Sequence, residues 1–219
     1  MTSLEFRDRL ATRTRRAKAP IALGMLQPLE AYFGLLTHWN ARINLTALPL
    51  DPPTDEAFDR LLVEPLAAAK QIPTAAPSVW FDLGSGGGSP AIPLKIARPA
   101  LKLTMVESRE RKSAFLREAV RQLGLLDALV ETERFEVVAG RSTFANSADY
   151  VTVRAVRTDD QLFESAAQIM KNGGQLLMFR PAHSPNPDPI GFKHIATVQL
   201  IDVPQSFLTV YRRVFHVEQ

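Results

Sequence analysis

The seven residues Asp82-Leu83-Gly84-Ser85-Gly86-Gly87-Gly88 carry the most chemical content in this 219-residue chain. They follow the short apolar run Val79 to Leu83 and precede a segment that Pro90 and Pro93 could start as a helix. Glycine permits positive φ and close backbone approach, so such a strand-to-helix turn can lay a ligand against main-chain N–H groups at a helix N-terminus. The expected ligand is a nucleotide-like cofactor. The dinucleotide fingerprint G-x-G-x-x-G would need its third glycine at position 89, where Ser89 stands; here the third glycine comes one residue early, at Gly88. The bland alternative is a glycine-rich turn that binds nothing.

The form present in full from Asp82 to Gly88, D-x-G-x-G-x-G, resembles motif I of class I methyltransferases, which implies S-adenosylmethionine as cofactor, with Asp82, Gly84, Ser85, Gly86 and Gly88 at its site. The next apolar run, Leu101 to Val106, leads into Glu107, 25 residues after Asp82. A Rossmann-like sheet places an acid at that strand end beside the cofactor ribose, where a carboxylate can accept hydrogen bonds from both hydroxyls. Without the glycine loop, Glu107 would read as an ordinary strand-end acid.

Methyl transfer from a sulfonium needs a nucleophile with an available lone pair and a site that aligns it, and alignment alone can contribute roughly 7 to 11 kcal/mol. A guanine N7 loses no proton, so no general base is required, and no catalytic residue is assigned. The chain has no cysteine, which closes the cysteine-adduct route to C5-pyrimidine methylation. Amino methylation usually shows an [Asp/Asn/Ser]-Pro-Pro-aromatic motif after the fourth strand, and Asp149 to Ala155 lacks it. Asp51-Pro52-Pro53-Thr54 lies before the glycine loop, has no aromatic and reads as a loop. His38, His183, His194 and His216 are dispersed without ligand spacing, so no metal is expected.

The elements that must position these groups fall into two regions. Apolar residues at Leu26, Leu29, Tyr32, Phe33, Leu36 and Trp39 mark an amphipathic helix with Pro28 in its first turn, and Phe58 to Ala69 is a second apolar-periodic stretch. Residues 1–75 are read as a helical cap and 76–219 as the methyltransferase domain, together one structural unit. Beyond residue 75 short apolar runs alternate with helical segments, which predicts a parallel sheet. The runs are Val79 to Leu83, Leu101 to Val106, Ala128 to Glu131, Tyr150 to Val153 and Gln175 to Phe179, with helices near Ile92 to Ala97, Glu110 to Leu123 and Asp159 to Met170. After the proline-rich stretch Pro181 to Pro189, Ile195 to Val203 and Phe207 to Val214 are spaced for an antiparallel hairpin. The expected fold is α/β, a Rossmann-like, seven-stranded, mostly parallel sheet with flanking helices and an N-terminal helical cap.

With 46% hydrophobic and 22% charged residues and no apolar run long enough to span a bilayer, the composition is that of a globular protein and not of a membrane protein. The net charge of +3 favours an anionic partner, and the absence of cysteine is consistent with the cytoplasm. Arg7, Arg9, Arg13, Arg15, Arg16 and Lys18 face only Glu5 and Asp8 in the first twenty residues. This segment reads either as a frayed, solvated helix or as an arm that contacts nucleic-acid backbone.

Ser89-Pro90-Ala91-Ile92-Pro93-Leu94 after the loop, Val106 to Leu116 around the second strand, Trp39-Asn40 and Asn44-Leu45-Thr46 together resemble the bacterial small-subunit rRNA methyltransferase G family, also called glucose-inhibited division protein B. The resemblance covers roughly Leu26 to Phe179. It implies N7 methylation of a guanine in 16S rRNA with S-adenosylmethionine as donor, and the small ribosomal subunit as partner; the chain is expected to be a monomer. It also implies cofactor contacts at Gly84, Ser89, Phe135, Glu136 and Arg154. Backbone groups at Phe135 and Glu136 could bracket the adenine, and Arg154 could orient the methionine carboxylate or the target nucleotide. Alternatively Arg154 pairs at the surface with Asp149, Asp159 or Asp160, and Trp39, Asn40 and Asn44 only dock the cap helix on the sheet.

The chain departs from the family where Leu61, Glu64 and Pro65 replace histidine, aspartate and serine, where Ala91 replaces glycine, where Val153 replaces serine, and where Arg180 and Pro181 replace Lys-Gly. These changes bear on the acceptor more than on the cofactor. A methyltransferase acting on another RNA or a small molecule, and a non-catalytic RNA- or ribosome-binding factor, therefore stay open as alternatives. A nicotinamide-dependent oxidoreductase is disfavoured by Ser89.

Overall fold

The computed structural model describes residues 1–19, 21–73, 77–181, 187, 189–203 and 205–214. It opens with a helix where the basic segment was expected to fray. Helix α1 (Ser3–Arg16) starts at a capping box, in which the Thr2 side chain accepts from the Glu5 amide and the Glu5 carboxylate accepts from the Thr2 amide. Phe6, Leu10 and Thr14 recur every four residues and are buried, a spacing masked in the sequence by the surrounding cations. Three of those cations meet carboxylates: Arg7 pairs with Glu30 at 3.4 Å, Arg9 with Asp55 at 2.5 Å, and Arg13 with Asp55 at 2.7 Å and also with Asp59. The segment is thus a packed helix and not a frayed one.

Helix α2 (Leu23–Asn40) begins three residues before the first residue of the expected apolar stripe, so Pro28 lies one turn inside it. The missing proline amide falls against the exposed turn at Gly24, where the carbonyl can turn to water. The stretch expected as one helix from Phe58 to Ala69 is instead four joined pieces. They are α3 (Asp55–Phe58) capped by the Thr54 hydroxyl, a π-helical turn (Asp59–Val63), α4 (Glu64–Ala68) and a 3₁₀ turn (Ala69–Gln71). The rings of Phe6, Phe33 and Phe58 meet at centroid distances of 5.0 to 5.7 Å and lock α1, α2 and α3 together.

The sheet has seven strands in the order β3-β2-β1-β4-β5-β7-β6. These are β1 (Val79–Leu83), β2 (Lys102–Val106), β3 (Ala128–Glu131), β4 (Ala148–Arg154), β5 (Met170–Pro181), β6 (Phe192–Ile201) and β7 (Ser206–Arg213). The first five are parallel, and β7 inserts antiparallel between β5 and β6, as the expected hairpin requires. Each β-to-β crossover carries a helix: α5 (Ala91–Ala97), α6 (Glu110–Gln122), α7 (Phe135–Ala139) and α8 (Asp160–Ile169). With five residues, α7 is too short to show a periodicity and was not expected.

One hydrophobic cluster joins α1, α2 and the 55–72 segment to α5, α6 and one face of the sheet, while a second packs α7 and α8 on the other face. Chain order reverses at β1, whose neighbours are β2 on one side and β4 on the other. The register sets Leu83 level with Val106 and Val153, so the carboxyl ends of all three strands finish together. That reversal leaves a crevice outside the strand ends, where sheets of this type take ligands. Most of the proline-rich stretch after Pro181, with His183 and His216, lies outside the described residues. Among the described residues no helix is long and apolar enough to cross a membrane.

Candidate functional site

The glycine loop leaves β1 at the reversal point. Gly84, Gly86 and Gly88 all hold positive φ, +76°, +53° and +83°, which a side chain would strain. What surrounds them differs. A Cβ on Gly88 would lie 2.6 Å from Ile92 Cδ1 and one on Gly84 2.7 Å from Val156 Cγ2, whereas one on Gly86 would meet nothing closer than the Gly84 carbonyl at 3.8 Å. Gly84 and Gly88 are therefore needed by the protein's own packing, and Gly86 presents bare backbone to open space. The loop amides are largely engaged within the protein: Gly84 and Ser85 both donate to the Val106 carbonyl, at 2.9 and 3.0 Å, and Gly88 donates to the Ser85 carbonyl at 2.7 Å. A ligand held mainly by main-chain amides, as a phosphate would be, suits this loop less than one held by the carboxylates beside it.

Asp82 is the first of those carboxylates. It is buried at the end of β1, where one oxygen accepts from the Thr152 hydroxyl at 2.5 Å. Thr152 is level with Asp82 on β4 and in turn accepts from the Trp80 indole at 2.9 Å. The other carboxylate oxygen, Oδ2, is buried with no hydrogen-bond partner among the described residues. Burial pushes the Asp82 carboxyl up to about 6; the hydroxyls of Ser85 and Thr152 and the charge of Arg154 act in the opposite sense, and Glu107 adds to the rise. A buried, orphaned carboxylate oxygen calls for a cation or a donor.

Glu107, at the end of β2, is also buried, and its two oxygens accept from the Gly86 amide at 2.9 Å and the Arg109 amide at 2.8 Å. It thus fixes the middle of the glycine loop. A carboxylate has about four acceptor sites, so two stay available for a pair of ligand hydroxyls.

Ser89 and Arg154, far apart in sequence, are brought together. Arg154 donates to the Ser89 hydroxyl at 3.2 Å, and Ser89 donates to the Leu61 carbonyl at 2.9 Å. Arg154 does not pair with Asp149, Asp159 or Asp160. It is part-buried against Glu64 at 2.5 Å, donates to the Arg60 carbonyl and lies over the Phe179 ring at 5.6 Å. Asp149 instead binds the Val79 amide and Lys171, and Asp159 caps α8. Arg60 and Leu61 belong to the π-helical turn, where the Glu64 amide donates to the Asp59 carbonyl instead of Arg60's and Pro65 has no N–H to offer either residue. Burial raises the Glu64 carboxyl, with Arg154 opposing the rise, and lowers the Arg154 guanidinium.

Phe135 and Glu136 form the first turn of α7, half-buried at the carboxyl end of β3 and on the same side of the sheet's end as Glu107. Trp39 packs edge-on against Phe115 of α6 at 5.8 Å, so it docks the cap on a helix, not on a strand. Asn40 accepts from the Leu45 and Thr46 amides at 2.9 and 3.0 Å and shapes the loop after α2, while Asn44 is exposed. Asp51 to Thr54 is a turn, with Thr54 capping α3.

Three residues not singled out for the site from the sequence belong to its frame. Tyr32, fully buried, donates to the Gly87 carbonyl at 2.7 Å and ties α2 to the glycine loop. Thr152 and Glu64 hold Asp82 and Arg154. The apolar spacing of α2 hid the tyrosine hydroxyl, and only the register of β4 on β1 could have pointed to Thr152. Among the departures, Leu61 contributes its carbonyl to Ser89, Glu64 keeps a carboxylate on Arg154, and Pro65, Ala91 and Val153 are buried.

Residues 25–187 match the family model described as rRNA small subunit methyltransferase G. The ribosomal RNA small subunit methyltransferase G of Stenotrophomonas maltophilia is 39% identical over 157 residues, covering 70% of this chain and 68% of that protein. That of Geobacillus thermodenitrificans is 33% identical over 173 residues, covering 79% and 71%. The crystal structure of a SAM dependent methyltransferase from Aquifex aeolicus superposes with a TM-score of 0.57 at 16% identity, over 71% of this chain and 93% of that one, a likeness of fold.

Proposed function

The chain belongs to the rRNA small subunit methyltransferase G family, and from that premise we propose that it transfers a methyl group from S-adenosylmethionine to N7 of a guanine in 16S rRNA. The observation that carries the cofactor's place is the pair of buried carboxylates flanking the exposed backbone of Gly86, one of them with an orphaned oxygen. S-adenosylmethionine supplies a methyl group on a cationic sulfonium, together with an ammonium, a carboxylate and a ribose diol. Asp82 Oδ2 is suited to the cationic end, and the spare acceptor sites of Glu107 to the two ribose hydroxyls. Gly84, Ser85, Gly86 and Gly88 form the floor. Phe135 and Glu136 bracket the adenine, with Phe135 offering an apolar wall.

Arg154 and Ser89 stand where the loop meets the cap. The guanidinium is held in one place by Glu64 and the Arg60 carbonyl, and it steers the methionine carboxylate or the target nucleotide. A guanine N7 presents its lone pair without losing a proton, so the protein's part is to align, to exclude water and to balance charge. In this reading residues 1–75 act as the cap and 76–219 as the transferring domain. N7 lies on the Hoogsteen edge, which the narrow A-form groove hides, so the guanine must be unpaired or splayed out, as in an assembled small subunit. A ribosomal substrate places the reaction in the cytoplasm.

The test is transfer of a labelled methyl group from S-adenosylmethionine to small ribosomal subunits and to bare 16S rRNA. Label in the RNA with the natural chain, and none with Gly84→Asp, is the expected result. A chain that binds the cofactor yet labels neither substrate would overturn the RNA assignment.

A further inference from the structure

The cations of α1 divide into two sets. Arg7, Arg9 and Arg13 have carboxylate partners, but among the described residues Arg15 and Arg16, in the last turn of the helix, and Lys18 just beyond it have none. Lys70 joins them, because its ammonium donates to the Lys18 carbonyl, bringing a further cation to the same place. Lys18 itself sits at φ +51°, a left-handed conformation that non-glycine residues adopt at a cost. Lys18 and Arg16 border a cavity of about 590 Å³ between the end of α1, the π-helical turn and residues 199–203 at the end of β6. Its other walls are Val63, Leu200, Ile201 and Val203, with the Arg13–Asp59 pair already neutralised and Asp202 bound to Gln199. Two cations without a carboxylate partner, Arg16 and Lys18, then line the cavity with one acid outside an ion pair, and Lys70 lies beside Lys18.

This cavity is not the crevice at the glycine loop. Apart from Asp59 and Val63, its lining comes from residues 13–18 and 199–203, outside the 25–187 span that matches the family. Its size is in the range of small-ligand pockets, with apolar wall enough for a base and cations placed at the rim for the phosphates on either side. Clustered cations repel one another without an anion, which offsets what each gains from the helix C-terminus. We propose that this cleft is a second docking site for the RNA substrate, taking a single-stranded segment with its backbone on Arg16, Lys18 and Lys70. The proposal rests on the RNA reading above and adds to it a contact outside the crevice.

The test combines RNA binding with turnover. In the full chain, Arg16→Glu/Lys18→Glu is compared with the charge-keeping Arg16→Lys/Lys18→Arg and with the natural protein. Binding to 16S rRNA fragments is measured from 50 to 300 mM salt, alongside KM, kcat and S-adenosylmethionine affinity. Loss of two phosphate contacts should lower the slope of log K against log salt by about 1.5 and raise the KM for RNA about tenfold. kcat and cofactor affinity should stay as in the natural chain, and the charge-keeping variant should behave like it. An unchanged salt slope and KM in the charge-reversed variant would overturn the proposal while leaving the methyl-transfer reading intact. A reduced slope in a protein that binds RNA but methylates none would do the opposite.

Discussion

Placed against the cofactor as proposed, Asp82 should make cofactor affinity a function of pH. Its carboxyl is buried, one oxygen has no partner among the described residues, and burial pushes its value up to about 6 from an ordinary 3.8. If the ionised form is what receives the cationic end of S-adenosylmethionine, only about one molecule in eleven is competent at pH 5 and about ten in eleven at pH 7. Affinity should therefore rise about tenfold between those two values and level off above pH 7. The effect on stability has the opposite sense. Because the folded value is the higher one, the folded form binds the proton more tightly than the unfolded chain, and the ligand-free protein loses stability as pH rises from 3.8 through 6, in all on the order of 3 kcal/mol. Calorimetric titration with S-adenosylmethionine at pH 5, 6, 7 and 8 reads the first effect, and chemical unfolding of the ligand-free protein over pH 4 to 7 reads the second. Asp82→Asn should bind weakly at every pH and show neither slope. A natural protein whose affinity is flat from pH 5 to 7, or an Asn variant with undiminished affinity, would refute the role given to Asp82.

The two kinds of glycine should separate in the laboratory. Gly88→Ala, with strain at φ +83° and overlap with Ile92, should cost ~2–3 kcal/mol in urea unfolding, whereas Gly86→Ala should cost only ~1 kcal/mol and act instead on cofactor affinity. Glu64→Ala leaves the part-buried Arg154 uncompensated, so a loss of ~3–5 kcal/mol is expected. The double change Glu64→Ala/Arg154→Met should lose far less than the sum of the single changes, and strict additivity in unfolding would mean that the pair does not interact. Tyr32→Phe removes one hydrogen bond to the glycine loop and should lower stability by ~1 kcal/mol, measured in the same way; no change would mean that the Gly87 carbonyl finds another donor.

Much of this arrangement was legible in the chain itself. Strands β1 to β4 and helices α5, α6 and α8 fell within a residue or two of the expected bounds, because a parallel sheet buries both faces and writes its strands as continuous apolar runs. The glycine spacing and Glu107 marked the crevice for the same reason: unusual backbone and a strand-end acid are local features. What escaped was set by distant contacts. The amphipathic spacing of Phe6, Leu10 and Thr14 was hidden among arginines whose partners, Asp55 and Asp59, lie more than forty residues away. The π-helical turn leaves no signature in periodicity, and Arg154 meets the Arg60 carbonyl on that turn and Glu64 just after it, while the nearby Asp149 and Asp159 are engaged elsewhere. Nor could residue spacing show that most of the loop amides are spent inside the protein, which in the proposed reading moves the weight of ligand recognition onto carboxylates.

The most direct measurement is the chemical identity of the modified nucleoside. After incubation of small ribosomal subunits with the protein and S-adenosylmethionine, 16S rRNA would be digested to nucleosides and analysed by mass spectrometry. One added equivalent of N7-methylguanosine, absent when Asp82→Asn replaces the natural chain, is the predicted result. Methylation at any other atom, or no methylated nucleoside above the control, would contradict it.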